Sequence, residues 1–234
     1  MPPATAHWQI DDGLARLRSG GMQLDVEYRR PDLGVTRIGA ESRILDANLF
    51  RLVEQRQLEA CGTFVRGNDF VVSYRGSHAE ELQFYWRLLM EPKRQLGFEL
   101  IVSLHVTEPM QRPKLEFESI LNTRSIWYSG DDTAKNDVVF EEIELTGKPG
   151  ILSRYPDTGL SCIQMVLLQD ELRTFVRRDE DSVSLHQQIT LGQLEKGVIR
   201  RCRLRVCFVS TEDDIASLKT CYEEFLRSPV PLSV

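Results

Sequence analysis

Seven side chains in the middle of this sequence combine the groups needed for acid–base chemistry and for recognition of polar ligands: Tyr85, Arg87, Glu99, Ser103, His105, Glu116 and Glu118. If the three segments that carry them lie side by side, one face presents an aromatic ring, a guanidinium, carboxylates and an imidazole. Such a set suits a sugar, because rings stack on C–H faces while charged groups take the hydroxyl hydrogen bonds. His105 carries the one side-chain type that ordinarily titrates near neutral pH, so it is the expected general acid or base, with Glu116 as its carboxylate partner. Glu116 and Glu118 stand on one side of their strand about 7 Å apart at ~3.3 Å per residue, within the span used by inverting glycosidases. The same residues equally describe a solvated sheet face held by cross-strand ion pairs, such as Arg87 against Glu99, with His105 as a hydrogen-bonded bystander.

Two further groups lie outside that set. Arg201, Arg203 and Arg205 project from one side of a strand and could hold a phosphate, sulfate or uronate carboxylate, or could simply balance nearby carboxylates. Trp127-Tyr128 precedes the turn Ser129-Gly130-Asp131-Asp132. Trp127 is therefore a candidate stacking platform at the rim of a site, or a core residue at a strand end.

The elements that must position these residues are strands. In Leu82-Gln83-Phe84-Tyr85-Trp86-Arg87-Leu88 the apolar residues alternate with Gln83, Tyr85 and Arg87. The segment 98–106 is apolar at every even position, with Glu99, Ser103 and His105 opposite, and 114–121 begins with the same alternation. Period-two patterns bounded by turn residues read as strands. The same reasoning predicts strands over 23–28, 70–74, 138–145, 162–168, 172–177, 182–191 and 198–209. Residues 46–58 fit neither period. One helix is expected near the end. Thr211 is its expected N-cap, with Asp214 in a capping-box position, and Ile215, Leu218, Tyr222, Phe225 and Leu226 form an apolar stripe that ends before Pro229. Many short strands with Gly and Pro turns, and no alternating helices, predict an all-β fold. The expected form is a large antiparallel two-layer sandwich with the C-terminal helix packed on it, one domain over residues 1–234.

Composition narrows the function classes. With 41% apolar and 27% charged residues in 234, the chain can bury a substantial core. A net charge of −6 argues against a nucleic-acid surface. No segment reads as a secretory signal or a membrane span, so a cytoplasmic location without membrane contact is the expectation. The five cysteines are scattered without a CxxC pair and read as buried free thiols in a reducing compartment. No phosphate-binding glycine loop, HExxH or GxSxG motif occurs, and the four histidines are dispersed. No metal and no cofactor are therefore expected.

The succession Asn68-Asp69-Phe70-Val71-Val72-Ser73-Tyr74, Phe84-Tyr85-Trp86-Arg87, Phe98-Glu99-Leu100-Ile101-Val102-Ser103 and Leu115-Glu116-Phe117-Glu118-Ser119 resembles the galactose-mutarotase-like sugar-binding domains, whose fold is the β-supersandwich. The resemblance implies a sandwich with a concave carbohydrate-binding face. Mutarotases of that family use paired histidines and a late catalytic glutamate. His105 would stand for one histidine, while a second histidine motif and a matching glutamate are missing. The expectation is a non-catalytic carbohydrate-recognition domain binding a sugar or sugar acid through Tyr85, Arg87, Glu99, Glu118 and Trp127. The alternatives are an epimerase- or lyase-type enzyme using His105 with a carboxylate, and a protein-interaction module. The oligomeric state is left open.

Overall fold

The computed structural model describes residues 7–19, 21–40, 43–53, 58–76, 80–90, 96–123, 126–129, 142–145, 150–167, 171–179 and 182–228. The first strands are β1 (His7–Ile10), β2 (Leu14–Ser19), β3 (Met22–Glu27), β4 (Val35–Ala40), β5 (Arg43–Leu45), β6 (Ala47–Leu52), β7 (Glu59–Arg66), β8 (Asp69–Arg75) and β9 (Glu80–Met90). Then come β10 (Leu96–Val106), β11 (Lys114–Leu121), β12 (Ile126–Ser129), β13 (Glu142–Leu145), β14 (Gly150–Tyr155), β15 (Leu160–Leu167), β16 (Glu171–Arg178), β17 (Val183–Thr190) and β18 (Ile199–Ser210), with one helix, α1 (Asp214–Arg227).

The strands form two antiparallel sheets. A ten-stranded sheet runs β1-β2-β3-β4-β6-β11-β17-β16-β13, with β5 on β4, and an eight-stranded sheet runs β12-β14-β15-β18-β10-β9-β8-β7. Residues of both sheets join in one hydrophobic core. The all-β sandwich with a packed C-terminal helix is therefore the fold.

Aromatic residues make the contact between layers. Phe84 of β9 meets Phe117 of β11 with ring centroids 6.2 Å apart. Phe50 of β6 meets Phe98 of β10 at 5.9 Å. Such pairs add to area burial and favour tilted or edge contacts. They also decide where the polar faces point. The apolar faces of β9 and β11 are turned toward each other across the core, so their polar faces look out on opposite sides of the sandwich.

Residues 46–58 defeat a period-two reading because Phe50 sits at φ 56°. That left-handed residue breaks the alternation, so Leu49, Phe50 and Leu52 of β6 are all buried. The Phe50 N–H is satisfied by the Ser119 hydroxyl at 3.2 Å. Gly34 must pass beside this kink at φ 61°, where a Cβ would lie 2.3 Å from the Leu49 carbonyl oxygen, so no larger residue fits.

The helix is correct in existence and differs in detail. It begins at Asp214 with Asp213 at the N-cap and no side-chain cap, so neither Thr211 nor a capping box starts it. Its buried stripe is Asp214, Leu218, Cys221 and Phe225, whereas Ile215 and Leu226 are exposed. The helix packs on β14, β15 and β18 over a second apolar cluster containing Leu152, Ile163, Met165, Cys207 and Val209. These residues lie on the outer side of the eight-stranded sheet, which α1 converts into a dry layer. Asp214 is held there by Arg154, at 2.6 and 2.8 Å, and by the Ser161 hydroxyl at 2.6 Å. Part of the strand expected over 138–145, together with Leu168 and Pro229, lies outside the described residues.

Candidate ligand-binding groove

β9 and β10 are neighbours, as expected, but β11 is not beside them: it belongs to the ten-stranded sheet, between β6 and β17. The seven predicted residues therefore do not share one face. Glu116 and Glu118 look out from the opposite surface. There Glu116 accepts a hydrogen bond from Gln188 at 2.7 Å and lies 3.5 Å from His186 Nε2. Glu118 pairs with Arg51 at 3.0 Å. His105 and Glu116, expected as acid and base partners, stand on different sheets and cannot act on one bond.

On the eight-stranded sheet the polar residues sort into bands set by register. Asp69, Arg87, Glu99 and Arg205 are successive partners across β8, β9, β10 and β18. Arg87 does not pair with Glu99, although their Cα positions are opposite. Its guanidinium instead grips Asp69 with bonds of 3.0 and 2.6 Å, and that partner raises its pKa.

Glu99 is buried, 1% exposed. Its Oε1 accepts N–H bonds from Arg203 at 3.0 and 2.6 Å and from Arg205 at 3.3 and 3.2 Å. Arg203 also donates to the carbonyl and hydroxyl of Ser228, which follows the helix. Both guanidiniums lie over the Phe225 ring, at 4.9 and 4.6 Å. Burial lowers the Arg203 pKa, and the Glu99 charge works against that fall without cancelling it. The arginine stripe is thus largely spent on Glu99 and on anchoring the C-terminal end of α1. A readable sign was the near-continuous apolar run of β15, since strands buried on both faces lose their alternation.

The open part of this face is a groove of about 230 Å³ beyond that ion-paired band, lined by residues that include Cys61, Ser73, Gln83, Tyr85, Ser103, His105 and Arg201. Register lines up Ser73, Gln83, Ser103 and Arg201 in one row across four strands. The Tyr85 hydroxyl donates to Gln83 Oε1 at 2.5 Å, and Gln83 Nε2 donates to Ser73 Oγ at 3.0 Å. Arg201 Nε donates to Ser103 Oγ at 3.3 Å. Directly opposite each other, His105 Nδ1 lies 3.5 Å from Glu81 Oε2. Arg201 has no carboxylate partner among the described residues, unlike Arg203 and Arg205.

Of the residues singled out in the sequence, the groove therefore receives Tyr85, Ser103, His105 and Arg201. Arg87 and Glu99 lie in the adjoining ion-paired band, and the Trp127 side chain lies outside the described residues. Sequence reasoning missed Gln83, Ser73, Glu81 and Cys61. The period-two pattern of β9 already put Gln83 on Tyr85's face, but the pairing of β8 with β9 could not be read from either segment alone. No group of three or more His, Cys, Asp or Glu residues suited to a metal occurs among the described residues.

No family model matches the sequence. No curated protein matches it either. Among solved structures the chain is similar to HI1317, with a TM-score of 0.50 at 7% identity over 89% of this chain and 97% of that one. It is also similar to a galactose mutarotase related enzyme from Lactobacillus acidophilus, with a TM-score of 0.46 at 8% identity over 89% and 98% of the two chains. A protein assigned as an aldose 1-epimerase from Klebsiella pneumoniae aligns with a TM-score of 0.47 at 9% identity over 97% and 90%. The structural neighbours thus include galactose-mutarotase-related proteins, and the likeness to HI1317 is one of fold.

Proposed function

We propose that this chain is a carbohydrate-recognition domain that holds one sugar or sugar-acid unit in the groove on the outer face of the eight-stranded sheet, without turning it over. The observation that carries the reading is the row of hydrogen-bonding groups at the groove, where Ser73, Gln83, Ser103 and Arg201 lie side by side with the Tyr85 ring next to them. A polyol needs many directed hydrogen bonds and one apolar ring face, and this surface supplies both. Arg201 adds a place for a carboxylate or phosphate oxygen. The nearest group to a general acid–base pair is His105 with Glu81. The carboxylate first expected beside His105, Glu116, is on the other sheet, so acid and base on two sides of a bond are not supplied by that pair.

The test is a thermal-shift and calorimetric screen against monosaccharides, uronic acids and sugar phosphates. A ligand at about 100 times its dissociation constant stabilises the fold by ~2.7 kcal/mol. Tyr85→Ala and Arg201→Ala should each weaken the hit by roughly tenfold, equivalent to ~1.4 kcal/mol. A flat screen at millimolar ligand would refute the reading. So would a hit that both substitutions leave unchanged. Turnover of the bound sugar, abolished by His105→Ala, would transfer the assignment from recognition to catalysis.

A further inference from the structure

Strand β7 ends the eight-stranded sheet, and its outer edge carries no partner strand among the described residues. It is eight residues long, and seven of the eight are exposed or glycine, unlike the other long strands of the sheet. Phe64 is 46% exposed and Val65 is 44% exposed, on opposite faces of the strand. A long edge with apolar residues and no internal lysine or proline is a template for another strand.

The residues of this edge specify which strand. Glu59 and Arg66, at its two ends, make no ion pair or side-chain hydrogen bond among the described residues. Register against β8 skips Cys61, so a bulge separates Ala60 from Gly62. Because of that extra residue, Glu59 and Arg66 project from the same face, opposite Arg75 and Asp69 respectively. In a two-fold antiparallel pair, residues facing each other must project from the same face. Counting the bulge as one position puts the axis at Thr63. Thr63 then faces Thr63 of the second copy, Gly62 faces Phe64, Ala60 faces Val65, and Glu59 faces Arg66. A Cβ added at Gly62 would meet nothing within 4 Å, so an aromatic side chain from across the axis has room to cover that glycine. The register brings both unpaired charges together with their opposites, and both exposed apolar side chains onto small partners.

The geometry points to β7 as a self-complementary edge through which two copies of this chain pair antiparallel, joining their eight-stranded sheets into one continuous sheet across a two-fold axis at Thr63. The interface is a single strand pair and smaller than the ~800 Å² per partner of standard complexes, so association is concentration-dependent. The inference does not depend on the sugar reading, although Phe64 of the second copy would stand beside Cys61 at the margin of the groove.

Sedimentation velocity over a broad concentration series tests it with charge reversals that leave the core untouched. The wild-type protein should pass from one protomer to two as concentration rises. Glu59→Arg alone should weaken the dimer by about tenfold or more, because both symmetric pairs become repulsive. The double variant Glu59→Arg/Arg66→Glu should recover the dimer to within about threefold, since the pairs are re-formed with exchanged signs. In a Cys61→Ser background, Thr63→Cys should cross-link into a disulfide dimer, because opposed strand residues place their Cα atoms about 4.5–5.5 Å apart, within disulfide range. A protein that stays monomeric at the highest concentration would overturn the proposal. A dimer indifferent to Glu59→Arg and uncross-linked at Thr63→Cys would overturn it equally, by showing that another surface is used.

Discussion

Replacing Glu99 by glutamine keeps the shape of the side chain and removes the charge that two buried guanidiniums share. Arg203 and Arg205 direct four N–H bonds to the single Oε1 of Glu99, and the three side chains are at most 9% exposed. Losing one member of a buried ion-paired cluster costs about 3–5 kcal/mol, because the remaining charges are left without compensation in a dry site. For a chain of this size each kcal/mol moves the melting temperature by ~2–4 °C, so Glu99→Gln should melt roughly 6–20 °C lower. Urea unfolding followed by circular dichroism should show a lower midpoint with an unchanged slope, the mark of lost stability rather than an altered denatured state. Hydrogen exchange should quicken first at the C-terminal turns of α1, since Arg203 also holds the Ser228 carbonyl and hydroxyl. Replacing all three residues by apolar side chains of similar volume should recover most of the loss, because the cluster's attraction mainly repays its own desolvation. A loss below about 1 kcal/mol for Glu99→Gln would refute the reasoning, since it would mean that water already reaches the guanidiniums.

Asp214 supplies a pH-dependent contribution. Burial pushes its carboxyl pKa up, but the Arg154 and Ser161 hydrogen bonds outweigh that and hold it below its ordinary value. A depressed folded-state pKa stabilises the protein above the unfolded-state value, and the contribution disappears as pH falls through the folded one. Asp214→Asn should therefore lose about 1.5–3 kcal/mol at neutral pH, toward the lower figure because Arg154 reaches solvent, and the gap to the wild type should close in acid. Equal gaps at pH 7 and in strong acid, measured by urea unfolding, would contradict this. Thiol labelling gives the third outcome: Cys61 is exposed, whereas Cys162, Cys202, Cys207 and Cys221 are buried. Burial raises the Cys162 and Cys202 pKa values, the latter to about 12, so their reactive thiolates are scarce. One thiol per chain should react with a disulfide reagent in the native state and five after denaturation, and a second fast native thiol would contradict the burial of the other four.

The strands carrying Phe84, Trp86, Phe98, Leu100, Leu115 and Phe117 were legible because a half-buried strand writes its two faces into alternate positions. What alternation cannot state is which strand lies beside which. Phe84 and Phe117 are equally good evidence for strands in one sheet and for strands facing each other across a core, and here they face each other at 6.2 Å. The misplacement of Glu116 and Glu118 follows from that single ambiguity. Glu99 was misread for a different reason: its alternation correctly marks the outer face, but α1 covers that face and makes it dry. Strands β1, β2, β4, β5, β7, β12 and β14 were not predicted, and β6 falls in the segment that fitted neither period. The first sits at a sheet edge, and β7 is exposed on both faces, so neither carries a clean apolar stripe. The helix was placed well because its charge and stripe are local. Its start was misjudged because Asp214, which looked like a cap partner, is taken by Arg154 from β14.

The outer face of the eight-stranded sheet is divided by how its charges are spent, and that division limits what the protein can hold. Helix α1 covers the side over β14, β15 and β18, and Glu99 neutralises Arg203 and Arg205 at the helix end. Arg201, one strand-step further along β18, is left facing the groove with a serine hydroxyl as its hydrogen-bond partner. At about 230 Å³ the groove is smaller than the ~300–1,000 Å³ typical of drug-sized ligand sites, which suits one sugar unit rather than a chain of them. A longer glycan leaving the groove away from the helix would have to cross Cys61 and the edge of β7. That is where the second copy pairs, with Phe64 laid against Gly62. Dimerisation and binding of an extended glycan would therefore compete for the same edge, whereas a monosaccharide and the dimer are compatible. If the sugar reading and the β7 dimer both hold, monosaccharide affinity should be unchanged by the Glu59→Arg substitution that weakens the dimer, and oligosaccharides should bind the weakened dimer more tightly than the wild type.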